Sequence, residues 1–221
     1  MKIIKPTVTL EWATPDPALA IERIARTCYR SEGRIEPGSA SVLIGKLVAR
    51  GHLAMLEHAS ASLRFVCDRG VSHELVRHRL CAYAQESTRY CNYSGDRFGA
   101  EISVIVPPEI GPCGECPACG RHDAQGTLVL CPKCQAWLQW GTGVRAAETT
   151  YLALLASGVR PEIARSVLPT CLATQIVATA NFREWLHILS LRTAPAAHPQ
   201  MREVMVQAQA ILVGVCPEVF G

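Results

Sequence analysis

The chain lacks an excess of charge of either sign. Across 221 residues, 22 Lys and Arg stand against 19 Asp and Glu, a formal net charge of +3. That is too weak to hold nucleic acid by bulk attraction. It also lacks a long apolar run. The longest uncharged stretch, 166–182, is interrupted by Pro169, Thr170, Gln175, Thr179 and Asn181, whereas a membrane-spanning helix needs about 20 mainly apolar residues. The opening residues, Met1 to Trp12, contain no apolar stretch of signal-peptide length. Internal repeats, low-complexity tracts and a Gly-x-Gly-x-x-Gly fingerprint are all missing, which excludes a repeat array and a Rossmann dinucleotide crossover. An even cysteine framework is missing too, because the chain has 11 cysteines and they cannot all pair internally. These absences lead to the expectation of a reduced cytoplasmic protein, away from membranes and without a nucleic-acid partner.

Hydrophobic residues make up 49% of the chain and charged residues 19%, enough apolar material for a real core. The residue pattern predicts an edge strand over Ile3 to Glu11, broken by Pro6, and a helix opening at Asp16–Pro17 and running to Cys28. A second helix is expected from Ser41 to Arg50, stopped by Gly51. Residues 59–66 alternate as a half-buried strand; a turn over 68–70 and a short helix through Leu75 to Leu80 follow. The stretch 81–100 is polar and irregular, and Ile102 to Val106 is a strand stopped by Pro107 and Pro108. Beyond a composition break at 110–140, helices are expected over 143–156, from Pro161 to Pro169, from Asn181 to Ser190 and from Pro199 to Val213, with a strand at 171–180. Strands and helices mix without regular alternation, so the expected class is α+β, a mixed or antiparallel sheet packed with helices, in one domain over 1–221.

The composition break carries Cys113-x2-Cys116-x2-Cys119-x11-Cys131-x2-Cys134. Two Cys-Pro-x-Cys turns supply four thiolates, the donor set of tetrahedral zinc. Cys116, Cys119, Cys131 and Cys134 are therefore the expected ligands of a small zinc-ribbon-like insertion over 110–140, with Cys113 as a spare and His122 as a substitute. Four closed thiolates leave no position for substrate, so the zinc is expected to be structural. Only Arg121 and Lys133 are cations in this segment, a poor surface for phosphates.

The densest chemistry lies in residues 73–90, where Arg77, Arg79, Arg89, His73, His78, Ser87 and Thr88 fall within one short helix and the loop after it. Arginine forks suit phosphate oxygens and carbonyl-bearing rings, and Ser87, Thr88 and backbone N–H groups can close an anion nest. Composition alone leaves an anion site and a solvated basic face equally open.

The order Arg77-His78-Arg79, seven residues, then Ser87, continuing through Gln85 to Tyr90, resembles the signature of the flavin-dependent thymidylate synthases. Leu56-Glu57-His58-Ala59-Ser60, Asn92-Tyr93-Ser94 to Phe98-Gly99, Val106-Pro107-Pro108, Ala164 to Pro169, Asn181 to His187 and Leu191-Arg192 resemble further segments of that family. Together they cover nearly the whole chain except 110–140. Three departures stand out. The Cys-rich insertion replaces a plain connection, Thr193 to Gln200 is longer and interrupted by prolines, and Ala82 stands where Ser is common.

The resemblance implies a fold of the thymidylate synthase-complementing protein type. It also implies reductive methylation of dUMP to dTMP, with methylenetetrahydrofolate as carbon donor, FAD as hydride carrier, NADPH as reductant and a homotetramer sharing its sites. It assigns Arg192 to catalysis, beside the uracil ring. Substrate contacts fall to Glu74, Leu75, Val76, Arg77, Gln85, Glu86, Ser87, Thr88, Arg89, Arg165 and Arg192. Flavin contacts fall to His58, Ser60, Arg77, His78, Arg79, Gln85, Asn181, Arg183 and His187. His78, flanked by two arginines, is expected to be neutral; His187 reads equally as a core histidine and His58 as a turn cap. Modification of another pyrimidine nucleotide, such as hydroxymethylation, and a non-catalytic zinc-ribbon interaction protein are the alternative readings.

Overall fold

The computed structural model describes residues 1–95, 99–111, 121–122 and 128–221. It divides into two compact units. The larger comprises Pro6–Cys67, Val71–Gln85 and Gln175–Gly221, and the smaller Met1–Lys5, Asp68–Gly70 and Glu86–Thr174. The class is α+β.

The larger unit is organised by a four-stranded sheet of β2 (Thr7–Ala13), β3 (Ser60–Asp68), β4 (Ala82–Gln85) and β8 (Ala173–Asn181), in the order β2-β3-β8-β4. β2 runs antiparallel to β3, and β4 antiparallel to β8 with Ala82 opposite Thr179 and Gln85 opposite Ile176. The edge position of β2 follows from its mostly exposed side chains. β3 is different: Ala61, Leu63 and Phe65 are fully buried, as the alternation of 59–66 requires. Helices α1 (Pro17–Thr27), α2 (Ser39–Ala49), α6 (Phe182–Arg192) and α7 (Pro199–Val215) add Ile21, Ile44, Phe182, Trp185, Met201, Met205 and Leu212 to one core.

Helix α6 positions most of the candidate site. Asn181 caps it, its side-chain oxygen accepting from the Glu184 backbone N–H at 2.8 Å, the usual role of Asn at a helix start. Phe182, Trp185 and Leu189, spaced i, i+3 and i+7, are buried and fix the helix's rotation. The Trp185 indole N–H donates to the Ala61 carbonyl at 3.0 Å, so the ring both fills the core and ties α6 to β3. The remaining faces carry Arg183, His187 and Ser190 on one side and Glu184 and Arg192 on another.

The smaller unit has its own core of Tyr93, Ile102, Val104, Val144, Tyr151, Ala164 and Leu172. Here β1 (Lys2–Ile3) pairs in parallel with β5 (Ser103–Val104), and α4 (Pro132–Ala156) packs with α5 (Pro161–Ala164). The buried Glu148 carboxylate accepts from the Ile102 backbone N–H at 3.0 Å and from the Met1 amino group at 2.9 Å. No helix among the described residues is long and apolar enough to cross a membrane.

Three expectations are corrected. The short helix after β3 is α3, Arg69–Leu75; residues expected as a turn begin it, and the residues expected to continue it form the bend 76–81. The irregular stretch 81–100 contains β4, whose Ala-Tyr-Ala-Gln sequence has little strand propensity and owes its form to pairing with β8. The zinc-ribbon-like insertion is the third. Among the described residues no group of three or more His, Cys, Asp or Glu is placed to hold a metal ion, so neither a structural zinc nor a zinc ribbon is assigned. Cys131 is the N-cap of α4 and Cys134 lies in its first turn. Pro132 at the first helical position is preset for helix, and the helix is anchored through Val144, Glu148 and Tyr151, so packing orders this stretch. Cys116 and Cys119, with Cys113, lie outside the described residues. A two-stranded pairing of β6 (Arg121–His122) with β7 (Leu128–Val129) precedes α4.

Trp185→Phe removes the indole donor from the Ala61 carbonyl and is expected to cost about 1–3 kcal/mol; Trp185→Ala, which also opens a cavity, about 3–5 kcal/mol. Urea denaturation midpoints measure both, and a Trp185→Phe midpoint equal to that of the parent would remove this hydrogen bond from the account.

Candidate functional site

In the larger unit, the expected site residues gather around α6 and the bend 76–81. Arg192, in the last turn of α6, is only 21% exposed at its side chain. Its Nη1 donates to Glu74 Oε2 at 2.8 Å, its Nη2 to the Glu74 carbonyl at 3.4 Å and its Nε to His78 Nε2 at 3.0 Å. Glu74 belongs to α3 and His78 to the bend after it, so one guanidinium fastens the end of α6 to both.

His78 is 6% exposed, and its other ring nitrogen, Nδ1, lies 3.8 Å from Glu184 Oε1. Its ring meets His187 edge-on, centroids 6.0 Å apart. Burial first, then the charges of Arg192 and His187, push the His78 pKa down to about 4. The like charge acting on it thus comes from α6, not from the flanking Arg77 and Arg79, whose side chains are exposed. The bend itself is closed by Tyr83. Its hydroxyl lies 2.7 Å from the Leu75 carbonyl and 3.0 Å from that of His78, and burial drives its pKa upward. Cys81 is also pushed up, chiefly by burial, which disfavours a thiolate nucleophile there.

An open cavity of about 780 Å³ lies against α6, with Asn181, Arg183, His187, Glu57, Leu80 and Leu186 in its wall. Arg183 pairs with Glu57 at 2.5 Å. A second cavity of about 430 Å³, shared at Arg183 and Leu53, is walled by Tyr29, His52, Leu43 and Met55. Of the expected flavin residues, Asn181, Arg183 and His187 line the first cavity, and His78 touches its wall through Glu184 and His187. His187 is exposed, which sets aside its reading as a core histidine. His58, Ser60, Arg77, Arg79 and Gln85 lie outside both cavity walls. Ser60 is tied to Thr14, whose hydroxyl accepts its N–H at 2.9 Å, and the Gln85 amide donates to Ser72 Oγ at 2.9 Å. Leu75 is buried core, and Val76 is exposed.

In the smaller unit, Glu86, Ser87, Thr88, Arg89 and Arg165 form a second cluster. Arg165 Nη1 donates to Thr88 Oγ1 at 3.1 Å and the Arg89 N–H to Ser87 Oγ at 3.3 Å. The Ser87 carbonyl accepts from the backbone N–H groups of Tyr90 and Cys91, closing a tight turn. Tyr93 donates its hydroxyl to Glu86 at 2.8 Å. Two cationic side chains, two hydroxyls and a tight turn make a setting for an anion.

Sequence reasoning gave no site role to Glu184, Glu57, Tyr83, Tyr93, Tyr29 or His52, although Glu57, Tyr93 and Glu184 lie in segments that carry the resemblance. Only Glu184 carried a local mark, a carboxylate three residues after the capping Asn181.

Because the folded pKa of His78 lies below its ordinary 6.5, the unfolded chain takes up that proton first as pH falls. Stability contributed by the neutral ring is present above pH 6.5 and is lost on acidification towards about pH 4, with a slope of at most about 1.4 kcal/mol per pH unit. His78→Asn is expected to flatten this stretch of the profile, measured as urea midpoints against pH; an unchanged slope would mean that other groups carry it.

Residues 9–218 match the family described as thymidylate synthase complementing protein. The flavin-dependent thymidylate synthase of Geobacter sulfurreducens is 31% identical over 214 residues, covering 94% of this chain and 82% of that protein. The enzyme of the same description from Mycobacterium sp. (strain JLS) is 31% identical over 225 residues, covering 99% and 84%. Among solved structures, the UMP/dUMP methylase PolB from Streptomyces cacaoi, bound with 5-Br dUMP, superposes with a TM-score of 0.78 at 26% identity, covering 100% of this chain and 95% of that one. With the match running through the arginine signature, α6 and the strands that hold it, the chain belongs to the flavin-dependent thymidylate synthase family.

Proposed function

We propose that the protein catalyses reductive methylation of dUMP to dTMP, taking its one-carbon unit from methylenetetrahydrofolate and its reducing equivalents from NADPH through FAD. The observation that carries this reading is the hold on Arg192. Three of the five N–H bonds of a guanidinium are engaged by His78 and Glu74, so its plane is fixed and further donors remain for a ligand. C5 of uracil is a weak nucleophile until negative charge builds on the ring, and a preset cation beside the ring favours that charge.

The residues present fit a flavin. The 780 Å³ cavity is within the usual size of cofactor sites. Its wall offers apolar side chains at Leu53, Leu80 and Leu186 beside the polar groups of Asn181, Arg183 and His187, and a second cavity shares Arg183 and Leu53 with it. FAD bound there would supply hydride-transfer chemistry. Asn181, Arg183 and His187 would hold and orient it, and Leu80 and Leu186 would keep water from its ring. Ser87, Thr88, Arg89 and Arg165 would take the nucleotide phosphate, with Glu86 positioned by Tyr93. The thiols are not needed as nucleophiles. The proposed assembly is a homotetramer sharing its sites, as the family resemblance implies.

A second reading is favoured by one comparison: the relative described as a UMP/dUMP methylase makes the ribonucleotide UMP a competing substrate. Incubation of the purified protein with methylenetetrahydrofolate, NADPH and either dUMP or UMP separates the two. Thymidylate from dUMP is expected. A methylated product from UMP alone would overturn the dUMP assignment, a hydroxymethylated mass would overturn the methylation, and a colourless protein that takes up no flavin would overturn the enzyme reading. Arg192→Ala is expected to keep bound flavin, seen in the visible spectrum, while turnover falls by about 10²–10³-fold; full activity would remove Arg192 from its role.

A further inference from the structure

We propose that Glu184 is a positioning residue for Arg192 and acts through His78, by holding the imidazole proton on Nδ1 so that Nε2 is left as the acceptor for the arginine. The inference rests on the role proposed for Arg192 above, but the geometry behind it does not.

A guanidinium has donors and no acceptor. Its Nε lies 3.0 Å from His78 Nε2, so that ring nitrogen must carry a lone pair. A neutral imidazole then has its single proton on Nδ1, and Nδ1 is the atom that faces Glu184 Oε1 at 3.8 Å, beyond direct hydrogen-bond distance, so the carboxylate favours the proton there by its charge. Both side chains are nearly out of solvent, 6% and 8% exposed. The groups facing the ring are Glu184, His187 and Arg192 from α6, with Glu74 of α3 on the far side of Arg192. Glu184 is the negative charge among them on the Nδ1 side. The opposite tautomer would point an N–H at the Arg192 N–H and leave a lone pair facing a carboxylate, two repulsions in a buried place. Burial keeps the ring from escaping this choice by taking a second proton.

Spacing along α6 makes the relay possible. Glu184 and Arg192 are eight residues apart, about 12 Å along the axis. The long arginine side chain folds back to a ring that stands between the two turns. The helix thus carries both the carboxylate that sets the proton and the guanidinium that uses the lone pair, and the bend 76–81 supplies only the imidazole. A catalytic arginine displaced by an ångström loses much of its effect, so the tautomer is a condition for activity as well as for packing.

The test uses the full chain labelled with ¹⁵N-histidine, and two-bond ¹H–¹⁵N correlation spectra near neutral pH. Loss of one resonance set in His78→Asn assigns His78 among the seven histidines. The expected result is an Nδ1–H tautomer in the parent protein. Glu184→Leu shifts it towards Nε2–H and lowers kcat by about 10²-fold while the KM for nucleotide stays near the parent value; the rate is expressed per bound flavin, because Glu184 also lines the large cavity. Glu184→Asp keeps the negative charge on the Nδ1 side, and restores the tautomer and part of the rate. A parent His78 in the Nε2–H or doubly protonated form overturns the proposal, and this needs no Glu184 variant to fold. So does a Glu184→Leu protein whose His78 tautomer is unchanged. If the parent makes no methylated nucleotide, the reading of Arg192 fails, and the spectra still decide the role of Glu184.

Discussion

A neutral, buried imidazole that accepts a hydrogen bond from a guanidinium is the interaction on which the candidate site depends. Among the described residues His78 Nε2 is the acceptor that reaches Arg192 Nε, and Glu74 takes the outer nitrogens. Protonating the ring would set two cations against each other out of water, where Coulomb energies are several times those in solvent. The low pKa of His78 is therefore a structural requirement. It follows from burial, and burial follows from the packing of α6 against β3 through Phe182, Trp185 and Leu189.

That packing divides α6 by face. The apolar stripe fixes its rotation, and every polar residue then has a set destination. Arg183 and His187 turn to the large cavity, Glu184 stands at both that cavity and His78, and Arg192 turns to the bend carrying His78. The bend holds its shape because Tyr83 ties two of its carbonyls and β4 pairs with β8. The anion cluster of Ser87, Thr88, Arg89 and Arg165 is organised separately, by a tight turn and by Arg165 on Thr88. Order after Cys131 likewise comes from packing, since α4 extends from Pro132 and is anchored at Val144, Glu148 and Tyr151. The Cys-Pro-x-Cys spacing suggested a metal because it registers which residues are near in sequence, and it carries no information on which helix they open.

Much of the fold was legible. Period-2 alternation marked β3, and helical periodicity with Pro or Asn at the start marked α1, α6 and α7, because these patterns come from burial of one face. β4 was not legible, since Ala and Gln have little intrinsic preference for strand. Nor was the early start of α4, whose first eleven residues meet the smaller unit's core with half-buried side chains such as Trp140 and no fully buried apolar one.

Local order alone carried the family, through arginines, histidines and hydroxyls at fixed separations, and it carried the apolar faces of the strands and helices. The tertiary structure alone decided which partner each charge meets. Glu184 and His78 are 106 positions apart and Arg192 and Glu74 are 118, and no local pattern encodes such pairs. The protonation state of His78 was decided there as well, since the exclusion of water that lowers its pKa is a property of the assembled core and not of the residues flanking it in the chain.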